Sequence, residues 1–138
     1  MVILGIDPGY AIIGWGVLEY RANKFKVIDY GAVTTSAKTP FPLRLCDIYS
    51  GICEIIKKYE PQVLSMEKLF YNNNAKTVID VAQARGVITL AAQQNGIQIA
   101  EYTPLQVKQS VTGYGRAVKK QVQEMTRIIL NLESIPKP

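Results

Sequence analysis

Two short apolar segments of the chain each end in an acidic residue: residues 2–6 (VILGI) run into Asp7, and residues 63–66 (VLSM) run into Glu67. Continuous apolar runs of this length are typical of central strands that are covered on both faces. If the two strands are parallel neighbours, both carboxylates lie at the same carboxyl edge of the sheet. Two carboxylates that close repel each other unless a cation lies between them. Mg²⁺ is the natural cation, because it binds one or two carboxylates together with phosphate oxygens.

A simpler interpretation remains open for the same residues. Asp7 caps the turn that begins at Pro8 and Gly9, and Glu67 is an ordinary residue at a strand end. The composition narrows the chemistry in either case, because the chain contains no histidine. Histidine acid–base catalysis and histidine metal ligation are therefore excluded, and any catalysis depends on carboxylates, lysines, hydroxyls or a metal bound by oxygen.

A second group of residues indicates a polyanion as the ligand. The chain carries 16 Lys and Arg against 11 Asp and Glu, which gives a net charge of +5. Four of these cations, Lys108, Arg116, Lys119 and Lys120, surround the segment TGYG at residues 112–115. Backbone amides of a glycine loop that leads into a helix, with lysines nearby, favour phosphate binding. The alternative is an ordinary solvated basic face.

Phe70 follows Glu67 by three residues and precedes Tyr71 and three asparagines. An aromatic side chain on a polar loop beside the acidic edge is suited to stacking on nucleic-acid bases. The alternative is that it anchors the loop in the protein, and Tyr71 is supported only by its adjacency.

The pattern of the whole chain predicts the elements that position these residues. With 138 residues, of which 48% are hydrophobic, the chain is expected to form one α/β domain. Three strands open it, and helices then alternate with two further strands, which predicts a five-stranded mixed sheet with helices on both faces. The predicted strands are residues 2–6, 12–20, 25–35, 63–66 and 97–102. The predicted helices are residues 45–59, 75–95, a short helix opened by Thr103 and Pro104, and a last helix that runs from about Val118 to Leu132.

The remaining features concern the compartment. Cys46 and Cys53 are seven residues apart without metal-ligand spacing, so we expect both to be reduced and to point into the core. No apolar run approaches the roughly 20 residues of a membrane span, and no leader-like segment is visible. A cytoplasmic protein without membrane association is expected.

Four segments in order resemble the RuvC-type Holliday junction resolvases, and the resemblance covers essentially the whole chain. They are LGIDPGYAIIGWGV at residues 4–17, MEKLF at 66–70, AQARGV at 82–87 and QVKQSVTGYGRAVKKQV at 106–122. The resemblance implies a ribonuclease H-like fold, a homodimer, and Mg²⁺-dependent paired cutting of a four-way DNA junction in recombination and repair. It also implies RuvA and RuvB, the branch-migration proteins, as partners.

The same resemblance implies roles for individual residues. Asp7 and Glu67 match the first two catalytic acids, Phe70 the base-stacking aromatic residue, and Lys108 and Lys119 contacts to DNA phosphate. Lys120 and Arg116 are further candidates for DNA contact, and the helix that contains residues 82–87 matches the subunit interface. Two Mg²⁺ ions are implied for each complete site, with Mn²⁺ as a possible substitute.

In the resembling family two more catalytic acids follow the position of Pro138. None of the other acids of this chain is an evident replacement, so we expect a C-terminally truncated form of the enzyme. Three other interpretations stay open: a module that binds junctions without cutting, another small nuclease of the same superfamily, and a fragment of an actin- or Hsp70-type nucleotide-binding fold. The last would need a second domain and a second phosphate hairpin.

Overall fold

The computed structural model describes residues 1–68 and 75–135. The strands are β1 (Val2–Asp7), β2 (Ile12–Arg21), β3 (Lys24–Thr34), β4 (Val63–Glu67) and β5 (Gln98–Tyr102). The helices are α1 (Phe41–Tyr59), α2 (Ala75–Gln94), α3 (Pro104–Thr112) and α4 (Lys119–Ile129).

The strands form one sheet in the order β3-β2-β1-β4-β5. β1 pairs with β2, and β2 with β3, in antiparallel orientation, whereas β4 is parallel to both β1 and β5. The β2–β3 turn consists of Ala22 and Asn23, both with positive φ, which matches the right-handed twist of a two-residue hairpin. The predicted five-stranded mixed sheet is confirmed.

One face of the sheet is covered by α1 and α2. The shared core includes Leu4 and Ile6 of β1 and Leu64 and Met66 of β4. The helices contribute Ile48, Ile52, Ile55 and Ile56 from α1 and Ala84, Ile88, Ala91 and Ala92 from α2. Because strand side chains alternate between faces, the burial of Ile6 and Met66 directs the next residues, Asp7 and Glu67, to the opposite face.

The other face of the sheet is only partly covered. Side chains of α3 and α4, among them Val107 and Thr126, line cavities over it, so helices lie on both sides as predicted. α3 begins as expected, with Thr103 as N-cap: its hydroxyl accepts from the amide of Gln106, and the Gln106 side chain accepts from the amide of Thr103. Among the described residues no helix is long and apolar enough to cross a membrane.

Three local predictions differ from the structure. α1 begins at Phe41 and includes Pro42 in its first turn, where the missing amide hydrogen costs nothing. α4 runs from Lys119 to Ile129 and is shorter than the expected helix from Val118 to Leu132. Val118 is its exposed N-cap, and the helix has ended before Asn131, which adopts a left-handed backbone conformation. The prediction that both cysteines point into the core is wrong for Cys46.

Cys46 is exposed and Cys53 is half-buried. The buried face of α1 is centred on Ile48, Ile52 and Ile55, and at 100° per residue both cysteines point roughly 130–150° away from the centre of this face. Cys53 nevertheless packs against the core, and the side chain of Asn95, the residue after α2, approaches its sulfur at 3.8 Å.

Candidate active site

Asp7 and Glu67 lie side by side at the carboxyl edge of the sheet. β1 and β4 pair in register up to Ile6 and Met66, and the two acids are the next residue of each strand. The last antiparallel pair of β1 is Asp7 with Gly14, so the neighbouring strand carries no side chain beside Asp7. A Cβ atom at Gly14 would lie 3.6 Å from the Asp7 Cβ atom. The sheet therefore places the two carboxylates next to each other at its carboxyl edge, with no side chain from β2 beside Asp7.

The acids border a cavity over the uncovered face of the sheet. This cavity has a volume of about 560 Å³ and is lined by Asp7, Glu67, Ser65, Tyr102 and Thr126 among others. A second cavity of about 490 Å³ shares Asp7 and extends towards β3 and Leu130. Both have a floor of bare backbone at Gly5, Gly14 and Gly16, so a ligand can approach the strands closely.

The protein around the acids makes both harder to ionise. Burial raises the pKa of Asp7 above its ordinary value of 3.8, and the Lys119 ammonium offsets part of this rise. Burial also raises the pKa of Glu67 above 4.5, the negative charge of Asp7 raises it further, and Lys108 lowers it. Asp7 is still partly exposed to solvent. Its pKa rises because the surrounding protein reduces the hydration of the carboxylate without removing all water from it.

The turn that follows Asp7 is fastened to β3 and α1. A Cβ atom at Gly9 would lie 2.5 Å from the carbonyl oxygen of Ile12, so only glycine fits this turn. The Thr35 amide donates to the carbonyl of Ala11 at 2.9 Å, and the Thr35 hydroxyl donates to the carbonyl of Tyr10. Buried Arg44 holds this hydroxyl through its Nε at 2.9 Å and stacks on the Tyr10 ring.

Of the four predicted cations, two lie at the acids. Lys119 is the first residue of α4 and acts on Asp7, while the half-buried Lys108 of α3 acts on Glu67. Lys120 is exposed on α4 and acts instead on Glu124, whose pKa is lowered first by its hydrogen bond with Arg127. Arg116 is exposed in the loop between α3 and α4. Phe70 lies outside the described residues.

Several residues at the site were not identified from the sequence. Tyr102 pairs in register with Glu67, and its exposed side chain lines the cavity beside both acids. The carboxyl-edge argument that identified Asp7 and Glu67 applies equally to the end of β5 and would have found it. Ser65 precedes Glu67 by two residues on the same face of β4, so strand alternation would have found it too. Arg85 of α2, which contacts the Glu67 carbonyl at 3.3 Å, carries no such signal.

The donor set at this edge fits a divalent cation. Two adjacent carboxylates, both resistant to ionisation in the absence of a counter-ion, suit one hard cation whose other ligands are water and phosphate oxygens. In residues 1–68 and 75–135 no cluster of three or more acidic, histidine or cysteine side chains could hold a metal. The described part of the chain therefore offers the two carboxylates of Asp7 and Glu67 as candidate ligands at this edge.

The raised pKa values predict a pH dependence of stability. An acid whose folded-state pKa is raised stabilises the fold fully below its unfolded pKa, here about 3.8 and 4.5, and loses this contribution as the pH rises through the folded-state value. We therefore expect the double variant Asp7→Asn/Glu67→Gln to be more stable than the wild type at pH 7.5, and the difference to vanish near pH 3. Thermal melts at both pH values measure it.

Added Mg²⁺ provides the control for this experiment. It should raise the melting temperature of the wild type at pH 7.5 and leave the double variant unchanged. Equal stability of the two proteins at pH 7.5 without metal would contradict the expected repulsion.

Comparison with known proteins identifies the family. The family model "Crossover junction endodeoxyribonuclease RuvC" matches residues 3–138. A relative of that name from Alkaliphilus metalliredigens is 57% identical over the whole chain, which covers 84% of the relative. One from Clostridioides difficile is also 57% identical, and the chain covers 82% of it.

Solved structures agree with the sequence comparison. The Thermus thermophilus RuvC in complex with a Holliday junction substrate superposes with a TM-score of 0.93 at 33% identity, covering all of this chain and 84% of that one. This likeness confirms the predicted ribonuclease H-like fold. The chain belongs to the crossover junction endodeoxyribonuclease RuvC family.

Proposed function

We propose that this protein resolves four-way DNA junctions by metal-dependent hydrolysis of two symmetrically placed phosphodiester bonds. The observation that carries the proposal is the juxtaposition of Asp7 and Glu67 on adjacent parallel strands, with Lys119 and Lys108 beside them. Membership of the RuvC family supports the nuclease activity. The T. thermophilus relative bound to a Holliday junction supports the substrate.

The residues divide the chemistry between them. Asp7 and Glu67 would hold Mg²⁺, with Mn²⁺ as a substitute, and the cation when bound activates water and neutralises charge on the phosphate. Lys119 places positive charge near Asp7 and Lys108 near Glu67, so that a phosphate can approach two acids that would otherwise repel it. Hydrolysis leaves a 5′ phosphate and a 3′ hydroxyl, which a ligase can seal.

The start of α4 supports phosphate binding at this edge. Lys119 and Lys120 occupy its first turn, which carries no acidic residue. Cations are unfavourable at a helix N-terminus, where unpaired amides already produce positive potential. A bound phosphate would reverse this cost, since it accepts from the amides and pairs with the lysines. Phe70 remains the predicted base-stacking residue.

We further propose that two copies associate through α2. Ala84 and Ile88 of this helix are buried against the core, but Ile79 and Leu90 are 64% and 50% exposed. Eleven residues separate the exposed pair, which places both on one outer face of the helix together with Gly86. A two-fold dimer presents two equivalent sites to a junction, and this accounts for paired cuts.

The dimer proposal predicts that Ile79→Glu/Leu90→Glu converts a dimer into a monomer, because charges replace apolar contacts at the centre of the interface. Analytical ultracentrifugation measures the mass, and we expect the dissociation constant to rise at least about 100-fold. The control Leu43→Glu/Ile28→Glu changes two exposed apolar residues on α1 and β3. A monomeric wild type, or equal loss in the control, would refute an interface on α2.

The function itself is tested by incubating the protein with a four-way junction, a linear duplex of the same sequence, and ATP. We expect preferential junction binding and, with Mg²⁺, paired nicks at symmetric positions. Preference for ATP would instead support the nucleotide-binding interpretation, and equal binding of duplex and junction would refute structure selectivity.

A second function is favoured by one observation: the described residues provide two acids rather than the four of the implied site. We propose that the 138 residues by themselves bind junctions more readily than they cut them. A version extended beyond Pro138 with the acids of the family would then cut faster at equal junction affinity. Equal cutting rates would show that Asp7 and Glu67 suffice.

A further inference from the structure

Arg85 of α2 contacts the end of β4, the strand that carries Glu67. It lies on α2, directly after the fully buried Ala84, and its side chain is only 17% exposed. Its Nε donates to the backbone carbonyl of Glu67 at 3.3 Å, and a terminal nitrogen of the same guanidinium pairs with the carboxylate of Glu101. One side chain thus holds the carboxyl ends of both β4 and β5.

The position of these contacts is significant because the sheet pairing ends there. Glu67 opposite Tyr102 is the last pair between β4 and β5, and directly after it the Lys68 amide donates to the carbonyl of Tyr102 at 2.7 Å. The orientation of the peptide group after Glu67 sets the direction in which the Glu67 side chain leaves the sheet. The contact with Arg85 restrains this peptide group.

Stabilisation alone does not account for the arrangement. The Glu101 carboxylate is 42% exposed, and an ion pair so open to water contributes little to folding. The chain contains another Arg–Glu ion pair, between Arg127 and Glu124 on α4, which is also partly exposed. Arg85 differs in that the same guanidinium also reaches the carbonyl of a residue at the acidic site.

We propose that Arg85 is a positioning residue, which holds Glu67 at the spacing from Asp7 that a shared cation requires. This inference rests on the function proposed above. It gives a role to the arginine of the AQARGV segment. Ala84 is fully buried, which lets the backbone of α2 approach the sheet closely enough for Arg85 to reach the strand ends.

The test compares three variants, Arg85→Gln, Arg85→Lys and Glu101→Gln, with the control Arg127→Gln. The control removes the Arg127–Glu124 ion pair, which involves neither Asp7 nor Glu67. Three quantities are measured: Mn²⁺ affinity of the free protein, junction affinity in EDTA, and the single-turnover cutting rate across Mg²⁺ concentrations. For Arg85→Gln we expect unchanged junction affinity, about 10-fold weaker Mn²⁺ binding, and a rate about 10- to 100-fold lower.

The other variants separate positioning from folding. Arg85→Lys keeps the charge but lacks the planar fork that serves both partners, so it should lose activity even where its melting temperature is normal. Glu101→Gln leaves the bond to Glu67 in place and should retain most activity, and Arg127→Gln should retain all of it. If Arg85→Gln does not fold, the Mn²⁺ affinity and cutting rate of Arg85→Lys test the proposal instead. Wild-type metal affinity and rate in a folded Arg85 variant, or equal losses in Arg127→Gln, would overturn the proposal.

Failure of the proposed function gives a different result. If the wild type binds Mn²⁺ but does not cut junctions, the metal affinities alone still test Arg85. If the wild type binds no Mn²⁺, the backbone carbonyl ¹³C shift of Glu67 is compared in wild type, Arg85→Lys and Arg127→Gln. A shift that Arg85→Lys leaves unchanged would refute the contact, and with it the positioning role.

Discussion

Replacing Asp7 with Asn should lower the rate of junction cutting by at least about 10³-fold while junction binding persists. The amide has the shape of the carboxylate but lacks the charge that holds a divalent cation. Loss of a cation that contributes several kcal/mol to the transition state corresponds to a change of this size. The rate is measured as single-turnover cutting in Mg²⁺, with the 138-residue protein if it cuts junctions and otherwise with the extended version described above. Junction affinity is determined separately in EDTA.

The matched control is Asp47→Asn, which makes the same chemical change at an exposed position of α1. It should cut at the wild-type rate. Asp7→Asn should also lower the pKa of Glu67, since the charge of Asp7 contributes to its rise. A cutting rate within tenfold of wild type would contradict the role proposed for Asp7. Loss of junction binding in EDTA would show that Asp7 supports the structure of the site instead.

Removing both lysines at the site, in Lys108→Ala/Lys119→Ala, should weaken junction binding by about 10- to 100-fold at moderate salt. Each lysine that contacts a phosphate releases condensed counterions, so the slope of log affinity against log salt concentration should fall by about 2. The variant should also raise the pKa of both acids further, because Lys119 now lowers that of Asp7 and Lys108 that of Glu67. Cutting should then require a higher pH.

Lys24→Ala/Lys26→Ala serves as the control for charge alone. These two lysines are exposed at the start of the edge strand β3 and pair with Arg21 and Glu19 of β2, at the end of the sheet away from Asp7. Removing them changes the net charge equally and should alter affinity less than threefold. Equal weakening by the two double variants would mean that the basic surface attracts DNA without a defined phosphate position at the acids.

Much of the fold follows from patterns that are local to the chain. The runs that end in Asp7 and Glu67, five and four residues long and almost entirely apolar, are strands because such runs suit a sheet that is covered on both faces, at least in part. Helix α3 begins where Thr103, Pro104 and Gln106 have the sequence of a capped N-terminus. The exposure of Cys46 also follows from periodicity, because Cys46 lies on the side of α1 away from Ile48, Ile52 and Ile55. The partial burial of Cys53 does not follow from it, since it depends on tertiary contacts such as that with Asn95.

The sequence by itself determined which acids meet, because strand alternation and parallel connections place the ends of β1 and β4 at one edge. It also selected the basic segment that contains Lys108 and Lys119. The family resemblance already favoured these two lysines over Lys120 and Arg116, and the tertiary structure adds that Lys119 acts on Asp7 and Lys108 on Glu67. Only the tertiary structure brought Arg85 to the Glu67 carbonyl, 18 residues away. Such contacts depend on how closely a helix packs on a sheet, which no pattern within a single element specifies.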